Sequence, residues 1–524
     1  MPSEDASLEL SAHVARGSFI IMVSRLIVTA LGVVYTIAVA RLLGAEGYGV
    51  VSVGLALVSV LIIAGSFGVF ESIVRHVSKY AALKRFMTIR RVLRISFRYL
   101  LISALGFSLA LLVLAGPIAT YIYHDPGLTN TFRAVALILF IWIIFKGFQS
   151  IFQGFQRMRY ILFTQVAYAA LRIPIAIALI SAGFFATGAL LGTAGGLIVA
   201  GAFSFSFLIP KVLSGGKPRA AVGDLEIDDH ILSKEVLSFA VPTWLGSFAI
   251  ILLTYFGTLL LGYVVSMQEV GYYSAAFYIS IFLVALPGVI TTALFPALSE
   301  QWTLGNKKNF ALAVRTAIKL IFTLLIPLTV GMMIFSEFTL TLLYGREFVV
   351  GANVLRVLLI TMLFRALSSI NYSIFSGIGR PDVHAKLGWM AAVVGVVAIT
   401  PMVWLYGAMG AASGFLVACV CWALAGAYFV TRLTHQDYPF PIFWRPLLAA
   451  GAMLLFVIPM RFLVGNIFQA ALVGLVGLVI YAYAFLKLGG VGKRDLEVLR
   501  RISSGIGKPR AVEKVLSFLE RYTK

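Results

Sequence analysis

Long apolar runs recur along the whole length of this chain, and they limit its possible folds more than any other feature of the sequence. A run of about 20 residues forms a helix long enough to cross a hydrocarbon layer of roughly 30 Å. The runs do not alternate in polarity as the strands of a membrane barrel do, and only 12% of the residues are charged. We therefore predict an all-α integral membrane protein with about fourteen transmembrane helices. The predicted crossings are 17–40, 48–70, 99–120, 132–155, 160–180, 186–209, 242–264, 271–298, 311–335, 354–375, 387–405, 410–430, 444–460 and 468–486.

The chain also contains two copies of one sequence plan, which indicates a repeat architecture. Ser-Ile-Phe-Gln-Gly-Phe-Gln-Arg at 150–157 returns 223 residues later as Ser-Ile-Phe-Ser-Gly-Ile-Gly-Arg at 373–380. The motif Gly-Ala-x-x-Gly at 188–192 returns at 410–414. Each copy holds six predicted crossings, an even number, so both copies enter the membrane in the same direction. Such parallel repeats are typical of transporters that rock one half against the other.

The repeat and the composition of the loops predict six segments along the chain. They are a cytoplasmic N-terminal tail at 1–16, a first six-helix lobe at 17–210, a cytoplasmic linker with an amphipathic helix at 211–240, a second six-helix lobe at 241–431, two further helices at 442–487 and a basic amphipathic cytoplasmic tail at 488–524. The last tail is predicted to lie as a helix on the inner leaflet.

Basic residues are concentrated on one side of the predicted topology. If the N-terminus is cytoplasmic, the opposite side holds mainly Arg41, Arg346 and Arg461, as the positive-inside rule requires. An even number of crossings then places the C-terminus in the cytoplasm too. We attribute the net charge of +21 to this bias and to attraction between basic residues and anionic headgroups. The prediction is a multi-pass cell-membrane protein that contacts anionic inner-leaflet lipids and binds no nucleic acid.

Four cations lie inside predicted crossings, where ionisable side chains are costly and usually functional. They are Arg25, Lys146, Arg172 and Arg365. Shifted by the repeat, Arg365 corresponds to Trp142, one turn from Lys146 on the same helix face. We interpret the four as lining a cationic central cavity for phosphate or carboxylate, which arginine binds in bidentate fashion. The alternative for each is snorkelling or a structural hydrogen bond to a backbone carbonyl.

Motifs for catalysis and for cofactor or metal binding are missing from the sequence. No phosphate-binding Gly-x4-Gly-Lys-Ser/Thr motif occurs. The six histidines are scattered through tails and loops without metal-ligand spacing. No acidic residue lies near the centre of a predicted crossing, which argues against a cavity that selects cations. We therefore predict no catalytic residue, no metal and no cofactor.

Five short motifs stand in a fixed order along the chain. They are Arg-Leu-Leu-Gly-Ala-Glu-Gly-Tyr-Gly at 41–49, Glu-Val-Gly-Tyr-Tyr-Ser-Ala at 269–275, Leu-Phe-Pro-Ala-Leu-Ser at 294–299, Leu-Tyr-Gly at 343–345 and Gly-x-Gly-Arg-Pro at 377–381. They resemble the polysaccharide transporter, or oligosaccharide flippase, family of the multidrug/oligosaccharidyl-lipid/polysaccharide exporter superfamily.

This resemblance covers nearly the whole chain and implies two six-helix lobes that open alternately to either side of the membrane. Members of the family move polyprenyl-linked oligosaccharides from the inner to the outer leaflet. Relatives that flip the peptidoglycan lipid precursor have two extra C-terminal helices, to which the predicted helices at 442–487 would correspond. Their cavity holds arginines, one of them in the first crossing, so the resemblance implies a similar role for Arg25.

The residues and the resemblance together predict a transporter and not an enzyme. Its function would be to flip a polyprenyl-(di)phosphate-linked oligosaccharide by alternating access through the cationic cavity. Its partners would be this lipid-linked glycan, membrane lipids and proteins of polysaccharide assembly. Three alternatives stay open: a cation-coupled multidrug exporter of the same superfamily, a membrane glycosyltransferase, and a scaffold in a polysaccharide assembly complex.

Overall fold

The computed structural model describes residues 4–214 and 228–490. Outside the description are the side chains of 4–25, 213–214, 285–286, 289, 292–293, 296–297 and 463. Long α-helices make up most of these ranges. They are α1 (Glu4–Ser66), α2 (Val69–Ala82), α3 (Phe86–Pro117), α4 (Thr129–Gly154), α5 (Met158–Leu179), α6 (Phe185–Phe203), α7 (Ile209–Ser214), α8 (Asp229–Val264), α9 (Met267–Thr303), α10 (Lys307–Ile334), α11 (Ser336–Leu343), α12 (Ala352–Gly377), α13 (Pro381–Thr434), α14 (Trp444–Met460) and α15 (Ile467–Lys487). Most of the predicted linker and the predicted tail from 491 onward lie outside the described residues.

Ten helical segments in the described ranges are long and apolar enough to cross a membrane. Three of them, Leu26–Ser66, Met158–Val212 and Pro381–Thr434, have 41, 55 and 54 residues, about twice the roughly 20 that one crossing needs. Each contains a break at a glycine with positive φ, namely Gly44, Gly183 and Gly407, and each break falls between two predicted crossings. With these three counted twice and α9 added, the described helices account for fourteen crossings. The predicted all-α membrane fold is confirmed.

The described helices form two compact units. Unit 1 is Met1–Tyr278 with Ala385–Ala418, and unit 2 is Ile279–His384 with Cys419–Lys524. Both α9 and α13 therefore contribute to both units. The lobes predicted from the repeat have different bounds and stay a prediction.

Glycines bring α5 and α6 close together in unit 1. Gly188, Gly192 and Gly196 are spaced four residues apart, a pattern that lets membrane helices approach each other. A Cβ added at Gly192 would lie 2.5 Å from Cα of Ala176, and one at Gly196 would lie 3.0 Å from Cβ of Arg172. These contacts leave no room for larger side chains and fix the position of Arg172 against α6.

The two copies of the repeat touch each other inside unit 1 at two glycines, Gly49 and Gly271. A Cβ added at Gly49 would overlap the carbonyl oxygen of Met267, and one at Gly271 would overlap that of Ala45. Each helix thus presents a glycine to a backbone carbonyl of the other helix, so the contact is reciprocal. Just after its break at Gly44, α1 therefore packs backbone to backbone against the start of α9.

The first turns of α8 contain the predicted amphipathic segment and pack against α2. Lys79 Nζ donates to Glu235 Oε1 at 2.7 Å, and Tyr80 Oη donates to Glu235 Oε2 at 3.2 Å. Ser72 Oγ donates to the carbonyl oxygen of Val236 at 2.9 Å. The segment continues without a break into the seventh predicted crossing. It therefore ties the start of the second repeat copy to the first copy.

Gly49→Ala and Gly271→Ala are each expected to destabilise the protein, because the added methyl group would overlap a backbone carbonyl oxygen. Overpacking of this kind costs about 1–3 kcal/mol. Since both changes push apart the same two helices, the double variant should cost less than the sum of the single variants. Thermal unfolding of the purified variants measures these costs.

Gly106→Ala is the matched control, because no atom lies within 4 Å of a Cβ added there. It should leave stability unchanged or raise it slightly, since alanine is the better helix former. Strictly additive costs at Gly49 and Gly271 would contradict the reciprocal contact.

Candidate functional site

Arg172 lies between two tyrosine rings in unit 1. Its guanidinium carbon is 4.1 Å from the ring centre of Tyr35 on α1 and 5.2 Å from that of Tyr168 on α5. Tyr168 precedes Arg172 by one helical turn, and Arg172 Nη1 donates a hydrogen bond to Tyr168 Oη at 3.0 Å. A cation over an aromatic face gains about 0.5–2 kcal/mol, with the higher value for desolvated pairs. The rings thus hold the positive charge in one position.

The two tyrosines are themselves fixed by neighbouring helices. Tyr35 is 1% exposed, and its hydroxyl donates to the carbonyl oxygen of Ala189 at 3.0 Å, with Thr193 Oγ1 at 3.1 Å. The ring of Tyr168 packs against Trp142 of α4, with 5.7 Å between the ring centres. Helices α1, α4, α5 and α6 therefore all contribute to the surroundings of Arg172.

No carboxylate among the described residues pairs with Arg172. The groups that contact its guanidinium are instead Tyr35 and Tyr168. Its Nε is buried and has no hydrogen-bond partner among the residues that the structure describes. An unsatisfied buried donor costs about 1–3 kcal/mol, and more when it is charged. The site therefore keeps an uncompensated cation with unused hydrogen-bonding capacity.

One edge of this guanidinium lies beside α1. A Cβ added at Gly32 would lie 3.6 Å from Arg172 Nη2, so the glycine leaves space for one more carbon between α1 and that nitrogen. Nε and Nη2 form one planar edge of the guanidinium, the edge that pairs side by side with two oxygens of a carboxylate or phosphate. The chemistry of this edge therefore suits an oxyanion.

Lys146 lies in the same unit, half-buried on α4. The antiparallel helices α4 and α5 are in register where Trp142 packs on Tyr168 and where Gln165 Nε2 donates to Gln149 Oε1 at 3.2 Å. This register places Lys146 about six residues, or ~9 Å along the helix axis, from the level of Arg172. The structure therefore brings these two predicted site residues onto neighbouring helices.

The other two predicted cations are in different surroundings. Arg365 is half-buried on α12 in unit 2, close enough to Cys419 to interact electrostatically with its thiol. Arg25 belongs to α1 and precedes Gly32 by seven residues, so the two positions share a helical stripe, but its side chain is outside the described residues. A cavity between the halves that collects all four cations stays a prediction.

Sequence reasoning missed the tyrosines around Arg172. The spacing of Tyr168 and Arg172, i and i+4, was an available signal, because such residues are neighbours on a helix. Tyr35 gave no such signal, since it comes from a different helix. In the part of the chain that the structure describes, no group of three His, Cys, Asp or Glu side chains is placed to hold a metal ion.

Models of two known protein families match parts of this chain. A family model described as "Polysaccharide biosynthesis protein" matches residues 14–302, more than half of the 524-residue chain. The chain belongs to this family. A second model, MatE, matches residues 242–402, so both models include parts of the second repeat copy.

Individual relatives match most of the chain. It is 24% identical over 470 residues to the lipid II flippase MurJ of Bacillus subtilis (strain 168), covering 83% of this chain and 85% of the relative. It is 25% identical over 406 residues to a putative O-antigen transporter of Shigella flexneri, covering 75% and 92%. A solved structure of the lipid II flippase MurJ in an inward closed conformation superposes with a TM-score of 0.66 at 15% identity, covering 88% of this chain and 97% of that chain.

These findings confirm the family resemblance and the membrane fold predicted from the sequence. The relatives are named as a flippase and a transporter, so the prediction of a transport protein and not an enzyme is confirmed as well. At 15% identity the solved structure shows a shared fold and nothing finer.

Tyr168→Phe is expected to lower the free energy of unfolding by about 1–3 kcal/mol, because it removes the acceptor of a charged donor, Arg172 Nη1. In an Arg172→Gln background the same change should cost much less, since the donor is gone. Thermal unfolding of the four proteins in this double-mutant cycle gives the coupling. Tyr121→Phe, at a residue that is 77% exposed, is the control. Equal costs in both backgrounds would mean that the Tyr168 hydroxyl acts elsewhere.

Proposed function

We propose that this protein is a flippase that carries a polyprenyl-(di)phosphate-linked oligosaccharide from the inner to the outer leaflet. The observation that carries the proposal is Arg172, a cation with an unsatisfied buried donor and no carboxylate partner among the described residues. Two relatives have names of the same class, a lipid II flippase and a putative O-antigen transporter. The ligand class that matches the site is an oxyanion, and phosphate is the oxyanion of such lipids.

A phosphate group would complete the hydrogen bonding of Arg172. Its oxygens would accept from Nε and Nη2 side by side, while Nη1 keeps its bond to Tyr168. The two rings hold the guanidinium in one orientation, so little side-chain entropy remains to be lost on binding. Because Nε is covered in the present conformation, the phosphate would reach this edge at another step of the cycle.

The remaining predicted cations would assist along the path of the headgroup. Lys146, Arg365 and Arg25 would contact the second phosphate or acidic sugars, while the lipid chain stays in the bilayer. The chain would be oriented with both termini in the cytoplasm, where its basic loops face anionic lipids. Membrane potential would then add about 2.3 kcal/mol per charge for each 100 mV.

One observation favours a second candidate, a cation-coupled multidrug exporter: the MatE model matches residues 242–402. Such a protein needs a carboxylate inside the membrane, since an organic cation or a coupling ion must be neutralised there. Glu71 is the described residue that comes nearest to this role, because its Oε2 is buried without a hydrogen-bond partner. It lies in the first turn of α2, after the second predicted crossing.

Leaflet-resolved flipping of a labelled polyprenyl-diphosphate oligosaccharide in vesicles tests the proposal. Arg172→Ala is expected to slow flipping by tenfold or more, since loss of a charge-assisted hydrogen bond costs about 1.5–3 kcal/mol. Arg172→Lys should fall between wild type and Arg172→Ala, because lysine keeps the charge but cannot bind side by side. The control is Arg133→Gln, at an exposed arginine bonded to Asn130, which should flip at the wild-type rate.

Assays in the same vesicles distinguish the proposed flippase from the alternative functions. Unchanged flipping in both Arg172→Ala and Arg365→Ala would remove the assigned site while leaving the fold intact. Export of organic cations that is lost in Glu71→Gln, with no flipping of the glycan, would establish the exporter. Transfer of the glycan by the purified protein alone would establish a glycosyltransferase.

A further inference from the structure

A separate groove runs along the outside of three helices of unit 1. It has a volume of about 730 Å³ and is lined by side chains of α3, α4, α6 and the π-helical turn Ser204–Leu208. Its volume is within the range of roughly 300–1,000 Å³ that is usual for small-molecule sites. The groove does not include Arg172 or Lys146, so it is distinct from the candidate site.

Aromatic rings form the walls of this groove. Phe97 of α3 stacks on Phe148 of α4 with 5.6 Å between ring centres, and Phe148 lies 6.0 Å from Phe205. Phe205 belongs to the π-helical turn, a rare conformation that occurs often at functional sites, and it is 64% exposed. A groove with such walls accepts an apolar chain.

The groove carries two positive charges at one end. Arg94 and Arg98 line it, are exposed and are one turn apart on α3, so they face the same way. Within the described residues, neither forms an ion pair or a hydrogen bond. They precede the predicted crossing 99–120, which places them at the level of the headgroups, next to the basic residues Arg90 and Arg91.

Gly201 forms the floor of the groove on the α6 side. A Cβ added there would meet only the ring of Phe145, at an ordinary contact distance of 3.8 Å. A larger side chain at this position would therefore extend into the groove without displacing the backbone. The position offers a way to fill the groove without changing its charge.

We propose that this groove binds one anionic phospholipid, with the phosphate on Arg94 and Arg98 and an acyl chain along the three phenylalanine rings. Two unpaired arginines at headgroup depth match a lipid with net negative charge better than a zwitterionic one, whose amine they would repel. The arginines are exposed toward the bilayer, where such lipids are always present. The groove would therefore be occupied by a resident lipid and not by cargo. This proposal does not depend on the flippase assignment.

Native mass spectrometry of the purified full-length protein tests it. The protein is titrated with phosphatidylglycerol or phosphatidylcholine of the same chain length, and bound lipid is counted. Phosphatidylglycerol should bind more tightly to the wild type, and Arg94→Gln/Arg98→Gln should weaken it by ~30-fold, because each basic residue near an anionic headgroup contributes about fivefold. Gly201→Phe should reduce binding of both lipids.

Two matched controls separate the groove from general charge and size effects. Lys307→Gln/Lys308→Gln removes two exposed charges at the start of α10, and Gly106→Phe adds a ring at an open position of α3. Both should bind phosphatidylglycerol as the wild type does. If Gly201→Phe fails to fold, as judged by gel filtration and thermal unfolding, the arginine pair alone decides the result.

Three results would overturn the proposal. Equal affinity for the two phospholipids would show that the arginines do not select charge. Unchanged binding in Arg94→Gln/Arg98→Gln would place the lipid elsewhere. Displacement of phosphatidylglycerol from the wild type by an equimolar polyprenyl phosphate would show that the groove takes a cargo-type lipid.

Discussion

Inside a hydrocarbon layer, every backbone N–H and C=O must find its partner within the protein, and this requirement determines how the chain can turn and pack. Helices α1 and α13 change direction at Gly44 and Gly407, where a positive φ costs glycine little. Elsewhere helices are joined by π-helical turns such as Ser204–Leu208, which keep the backbone hydrogen-bonded. Because water drives no association between helices in lipid, close packing must hold them together, and small residues provide it.

The same environment explains why Arg172 is the most informative side chain of the molecule. A charge in a membrane crossing is normally neutralised by a carboxylate or moved to the interface. Arg172 instead lies against the rings of Tyr35 and Tyr168. Aromatic faces stabilise a cation without cancelling its charge, so the field of Arg172 remains available to an anion. A structural salt bridge would have neutralised the charge, and this difference is the reason why we propose Arg172 as a binding residue.

The sequence predicted features that depend on neighbouring residues and missed features that depend on contacts between distant helices. Run length predicted the crossings, because hydropathy is a property of neighbouring residues. Arg172 was selected as a candidate site residue because it is an ionisable residue in an apolar run. Its partner Tyr35 was missed, since a tyrosine in a membrane helix is unremarkable until the fold places it beside a cation. The amphipathic linker segment was predicted. Its continuation into the seventh crossing as one helix, α8, was not predicted, and neither were its bonds to α2 through Glu235.

The sequence by itself determined that this chain crosses a membrane many times, that several of its motifs occur twice, and that it carries cations in its apolar runs. These features follow from periodicity, length and charge, which are written along the chain. Only the tertiary structure decided that Gly49 and Gly271 join the two copies, and that Arg172 is held by tyrosines with Nε left unsatisfied. Such facts depend on distances between helices far apart in sequence, and those distances are set by the packing of all the side chains at once.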